Sequence, residues 1–207
     1  MSYGEWLDES AQRRVERAVK ELELVSSAEV VVTVRQTSGS YRAADVMFGA
    51  LLAFAGLVVY VYHPFEFTDD LVPPALLILF LAGSFFCSQV GPLRRLLTPQ
   101  RLLSDNARRA ALTEFHEQRI SVTRDRTGIF VYVSLFERIV EIVPDVGVGA
   151  RRLGDDGTAA LAAMRDAVRQ GGVETLVEGL GRLARALERS LPRSSDDVNE
   201  LPDAVVS

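Results

Sequence analysis

The chain has 207 residues, a net charge of −5 and a pI near 5.2, with one cysteine and two histidines. The acidic balance argues against nucleic-acid binding, and a lone cysteine excludes an intrachain disulfide framework or a cysteine-based metal site. Hydrophobic residues make up 48% of the chain, an ordinary share, but they crowd between Val46 and Leu93 while Arg, Glu and Asp crowd the flanks.

The N-terminal residues carry acids early and no apolar stretch, so they do not read as a cleaved signal peptide. Residues 8–25 place Val15, Ala18, Val19 and Leu22 at helical spacing, with Asp8 or Ser10 as the cap. The β-branched run "AEVVVTVRQ", 28–36, reads as a strand.

Two charge-free runs follow. Residues 46–65 read "VMFGALLAFAGLVVYVYHPF" and residues 71–93 read "LVPPALLILFLAGSFFCSQVGPL", with only "EFTDD" between them. A helix needs about 20 apolar residues to cross a ~30 Å hydrocarbon core, and both runs reach that length. Tyr60, Tyr62 and His63 suit the headgroup level, and Pro73-Pro74 suit a first helical turn. A buried hairpin in a soluble core would be shorter and would carry a polar edge. The expectation is therefore a transmembrane hairpin.

Arginine sets its orientation. Arg35 and Arg42 precede the first run, and Arg94, Arg95, Arg101, Arg108 and Arg109 follow the second; the link holds Glu66, Asp69 and Asp70 and no base. The positive-inside rule puts both flanks and both termini in the cytoplasm. Residues 92–103, "PLRRLLTPQRLL", read either as a strip on the inner surface, with Arg94 and Arg95 toward lipid phosphates, or as a plain linker.

Beyond the hairpin, Ser104–Gln118 reads as a helix with Ala107, Ala111 and Phe115 on one face. "GIFVYVS", 128–134, and "RIVEIVPD", 138–145, read as strands joined in a tight antiparallel hairpin. Residues 155–170 read as a helix capped at Asp155 or Asp156 and ended by Gly171-Gly172. Residues 173–191 carry the stripe Val173, Leu176, Val177, Leu180, Leu183, Ala184 and Leu187, a core face. The expected organisation is one α/β domain assembled from 1–43 and 94–191, a hairpin at 44–93 (helices near 45–63 and 71–91) inserted after the first strand, and an acidic tail at 192–207.

Little in the chain points to catalysis. There is no Gly-rich nucleotide loop and no GxSxG elbow, and His63 and His116 have no partner at ligand spacing. Asp145, Asp155 and Asp156 flank a loop containing Gly147, Gly149 and Gly154. Such carboxylates could ligate Ca²⁺ or Mg²⁺, but a helix cap at Asp155 or Asp156 and a turn at Asp145 explain them without further assumption. Arg124 and Arg126 suit a phosphate or lipid headgroup, though such arginines more often pair with a local acid, here Glu137 or Glu141.

Three segments together, "SSAEVVVTVRQTSGSY", "FHEQRISVTRDRTGIFVYVSLFERIVEIVPDVGV" and the late "NELPD", resemble the TPM domain family, in its small bacterial membrane branch. The resemblance spans most of the chain, and 115–148 is its most specific part. It implies a compact α/β domain with a small sheet sandwiched by helices. It also implies a role in maintaining or assembling membrane proteins, as in photosystem repair in plants. Metal binding and weak acid phosphatase activity are implied for some members. The acidic motif near the start of the domain in exported members is absent here, and the loop after the strands reads "PDVGVGARRLGDDG", leaving Asp145 in the clearly corresponding position. The expectation is a non-enzymatic membrane protein that binds another membrane protein. The alternatives are a metal-dependent domain at Asp145, Asp155 and Asp156, or a structural subunit that self-associates through Gly49, Gly56 and Gly83.

Overall fold

The structure is a computed structural model and describes residues 6, 8–64, 68–123, 125–148, 154–155, 157–159, 161–165 and 172–193. In chain order the elements are α1 (Glu9–Val25), β1 (Glu29–Arg35), α2 (Arg42–Tyr62), α3 (Val72–Gln89), α4 (Gly91–Leu97), α5 (Gln100–Glu117), β2 (Gly128–Ser134), β3 (Ile139–Pro144) and α6 (Val173–Ser190). The described residues of 154–165 are also helical. The acidic tail lies outside the described residues from position 194 onward. The protein is mostly helical with a small mixed sheet, an α/β fold. It divides into two compact units, Met1–Ser38 with Ser104–Ser207, and Gly39–Leu103.

In the first unit the sheet order is β1-β2-β3. β1 and β2 are parallel, with Glu29 opposite Gly128 and Arg35 opposite Ser134. β2 and β3 are antiparallel through the turn 135–138, with Ser134 opposite Ile139. Parallel neighbours require a long crossover, and residues 36–127 supply it. Alternation along the strands gives each face its own core. Val30, Val32, Val34, Ile129, Val131 and Val133 pack with Val15, Val19 and Leu22 of α1 and Leu176, Leu180, Leu183 and Leu187 of α6. Val31, Phe130 and Tyr132 pack on the other face with Ala111 and Phe115 of α5 and with Ile120. The ends of α1 and α6 are tied together, since Ser26 Oγ donates to the Leu191 carbonyl at 2.8 Å.

In the second unit α2 and α3 form a hairpin. Two helices, Arg42–Tyr62 and Asp69–Gln89, are long and apolar enough to cross a membrane, and their apolar windows are only 17% and 11% buried. Gly49 and Gly83 sit at the crossing; a β-carbon on Gly83 would lie 3.1 Å from the Gly49 Cα and 3.0 Å from Leu52 Cδ2. Gly56 faces Leu79 of α3 in the same way. The three glycines read in the sequence as a self-association surface are thus used inside the hairpin, where small residues let helix backbones approach.

Residues 92–103 do not form one strip. Thr98 caps α4, its hydroxyl donating to the Arg94 carbonyl at 2.8 Å, and α5 starts afresh at Gln100, four residues before the expected start. Pro99 explains the break, because proline disfavours helix in the residue before it yet suits the start of the next helix.

Candidate functional site

The C-terminal ends of β1 and β2 lie side by side, and polar groups gather there. Thr33, Arg35, Tyr132 and Ser134 recur at the period of two that puts them on one sheet face. From α5, Glu114 grips Arg35 with both oxygens, at 2.8 and 3.2 Å, and just past the end of α5 Gln118 donates to Thr33 Oγ1 at 3.1 Å. The hydrogen bond that Arg35 donates to Glu114 raises its guanidinium above its ordinary value.

Glu137, in the turn between β2 and β3, is wholly buried. Its Oε1 accepts from the Ser38 N–H at 2.8 Å and from Thr37 Oγ1 at 3.4 Å, and its Oε2 accepts from Ser134 Oγ. A hydroxyl has one proton. Because Ser134 spends its proton on Glu137, Ser38 Oγ must donate to Ser134 Oγ at 2.5 Å, and Tyr132 OH must then donate to Ser38 at 3.0 Å. The result is a one-directional chain, Tyr132 to Ser38 to Ser134 to Glu137. Burial pushes the Tyr132 phenol above its ordinary value, with the charges of Glu114 and Glu137 adding to the effect and the Ser38 hydrogen bond opposing it. Chemically the cluster holds a buried carboxylate on neutral donors and clamps the segment after β1 to the β2–β3 turn. In the sequence Glu137 read only as an acid for a neighbouring arginine.

The arginine and aspartate positions singled out in the sequence fall elsewhere. Arg126, in the left-handed region at φ 56°, donates to Asp145 through Nε at 3.3 Å and Nη2 at 3.2 Å. Its acid is therefore Asp145 and not Glu137 or Glu141; Glu141 faces Arg165 at 3.9 Å. Asp145 is buried, and its Oδ1 also accepts from the Val146 N–H at 2.7 Å, opening a 3₁₀ turn over Val146–Val148. Both its oxygens accept hydrogen bonds from the protein, so Asp145 serves as a turn residue and ion-pair partner. Asp155 is exposed within the helical stretch, while Asp156 and Arg124 lie outside the described residues. Among the described residues no group of three or more His, Cys, Asp or Glu is placed to hold a metal ion.

In the second unit Arg94, read in the sequence as a headgroup contact, has an acidic side-chain partner within the protein. It turns onto Asp45 Oδ2, and the Asp45 side chain is 10% exposed. The reason is the break between α3 and α4 at the non-helical Val90, after which α4 brings Arg94 beside the first turn of α2. Arg95 is half-buried on α4, and Leu96 beside it is exposed.

One open groove lies between the helical stretch 154–165 and α6. It has a volume of about 590 Å³ and is lined by Ala159, Ala163, Arg182, Arg185, Ala186, Glu188 and Arg189. The arginines lie on the face of α6 opposite the Leu176–Leu187 stripe. That face was legible as a charged helix side but was not singled out.

No protein-family model matches the chain, and no curated protein matches it. Among solved structures it is similar to the NMR structure of the BA42 protein from the psychrophilic bacterium Bizionia argentinensis. That likeness covers 99% of this chain and 97% of that one, at 17% identity and a TM-score of 0.59, and it is a likeness of fold.

Proposed function

We propose that this is a non-enzymatic, TPM-like integral membrane protein whose α/β unit binds, or helps to assemble, other membrane proteins. One observation carries the membrane part. The core helices of a soluble domain bury their apolar side chains, whereas Leu51, Phe54, Val61, Ile78, Leu81 and Phe85 are each more than half exposed on α2 and α3. A bilayer is the solvent that suits such a surface. The arginines flanking the hairpin and the acidic link favour cytoplasmic termini in a bacterial inner membrane. The partner-binding part rests on the TPM resemblance and on a polar cluster built of clamps and turns, with no open catalytic set among the described residues. A metal-dependent phosphatase centred on Asp145 has no observation in its favour, because Arg126 and the Val146 N–H occupy that carboxylate.

The test is impermeant-thiol labelling in intact cells, with Cys87→Ser as background and single cysteines at Thr68 or Asp105. Labelling at 68 alone supports the topology, and release of the protein by alkaline carbonate would refute membrane integration. Site-specific crosslinking from the α/β unit should then recover a defined membrane protein; crosslinks only to lipid or to itself would refute the partner reading.

A further inference from the structure

The α6 groove is a basic spot on an acidic chain. Arg182, Arg185 and Arg189 follow one another at steps of three and four, so they share one helix face and span about 10 Å. Among the described residues neither Arg182 nor Arg185 has an ion-pair partner, although acids outnumber bases in the chain by 28 to 23. The opposite wall is Ala159 and Ala163, four residues apart on the neighbouring helix. Small side chains there leave the groove open. Planar guanidiniums along its rim match carboxylates in a bidentate way.

We propose that this groove docks an acidic peptide segment of the membrane-protein partner. The inference rests on the partner-binding reading above and adds the surface and its chemistry. An extended or helical segment with carboxylates about one turn apart would pair with Arg182 and Arg185, and its small or apolar side chains would rest on the alanines. Glu188 on the rim works against such a ligand, so it sets a limit on affinity.

The test uses the full chain in micelles of neutral detergent and a labelled peptide of alternating Glu and Ala blocks, with a Gln-for-Glu peptide as control. The expected result is binding of the Glu peptide alone, weakened by added salt. Arg182→Glu with Arg185→Glu should weaken it by more than about tenfold, the equivalent of 1.4 kcal/mol. Glu188→Gln should tighten it. An unchanged melting temperature in the charge-reversed protein separates lost docking from lost folding, and Arg182→Gln with Arg185→Gln serves if the reversal does not fold. Equal binding of both peptides, or indifference to the substitutions, overturns the proposal. Binding that appears only after residues 194–207 are deleted also overturns it, because the groove would then be filled by the chain's own acidic tail. Retention on anionic vesicles without peptide binding would assign the face to lipid instead. If the peptide fails but crosslinking still recovers a partner, the groove is wrong and the partner-binding function stands.

Discussion

Ser38 and Glu137 lie 99 residues apart in sequence, and the Ser38 backbone N–H donates to Glu137 Oε1 at 2.8 Å. The bond fastens the segment leaving β1 to the turn between β2 and β3. Removing the carboxylate strands the buried Ser134 hydroxyl and the half-buried Ser38 N–H, while the exposed Thr37 hydroxyl can turn to water; a buried donor left dry costs about 1–3 kcal/mol. Glu137→Ala should therefore lower stability by several kcal/mol, and Glu137→Gln, which keeps an acceptor for Ser38, by less than half as much. Chemical denaturation of both variants checks this. Equal losses would mean that the cavity, and not the lost acceptor, dominates.

Gly49 and Gly83 set the spacing of the hairpin. Gly83→Leu must push Leu52 and the Gly49 backbone aside, and overpacking of this kind costs about 1–3 kcal/mol. The substitution should lower the melting temperature in micelles and separate the helices, read as a weaker crosslink between cysteines placed on α2 and α3. Gly91→Leu, where a β-carbon meets nothing within 4 Å, should leave both readings unchanged.

Asp45 at the start of α2 and Arg94 of α4 form an ion pair, with side-chain exposures of 10% and 26%. Removing one partner of a buried pair typically costs about 3–5 kcal/mol, whereas replacing both by apolar residues is often neutral. Arg94→Leu alone should destabilise strongly, and Asp45→Leu with Arg94→Leu should recover most of the loss. An additive double substitution would show that the two side chains act separately.

The contrast between elements and contacts explains what could be read from the chain. α1 and α6 announce themselves through apolar residues at three- and four-residue steps, and β1 through a β-branched run, because those signals are local. Apolar length alone marks the hairpin helices. Arg94 and Asp45 are 49 positions apart, and nothing local distinguishes an arginine bound for a headgroup from one bound for an aspartate. The Glu137 cluster needs the parallel pairing of β1 with β2 before Ser38 and Ser134 become neighbours. The turns at Arg119, Arg126 and Arg138 were equally hidden, since each takes a left-handed φ near 55° that glycine or asparagine usually signals.

Divalent ions should leave the protein unmoved if Asp145 is only a turn residue. A ligand at 100 times its Kd adds about 2.7 kcal/mol to the folded state, enough to raise the melting temperature visibly. Ca²⁺ and Mg²⁺ are expected to give no selective rise. Asp145→Asn should cost little through the lost ion pair, because Arg126 is 55% exposed and such pairs contribute about 0–1 kcal/mol. A rise with either ion that disappears in Asp145→Asn would reinstate the metal reading.

Tyr132 offers the pH test. Burial holds its phenol neutral beyond the ordinary value of 10.0, so the folded state keeps a proton that the unfolded chain releases. Fewer protons on the unfolded chain mean that stability falls as pH rises. The Tyr132 contribution is complete below pH 10.0 and is lost as pH climbs from there toward the higher folded value. Tyr132→Phe removes the titrating group together with the hydroxyl that donates to Ser38. Its stability should be lower than that of the natural chain at neutral pH, and the gap should narrow above pH 10. Melting curves from neutral to strongly alkaline pH, taken as the difference between the two proteins so that the other tyrosines cancel, read this directly. A constant gap would mean that Tyr132 ionises as easily folded as unfolded, and the hydroxyl chain to Glu137 would then not be sealed from water.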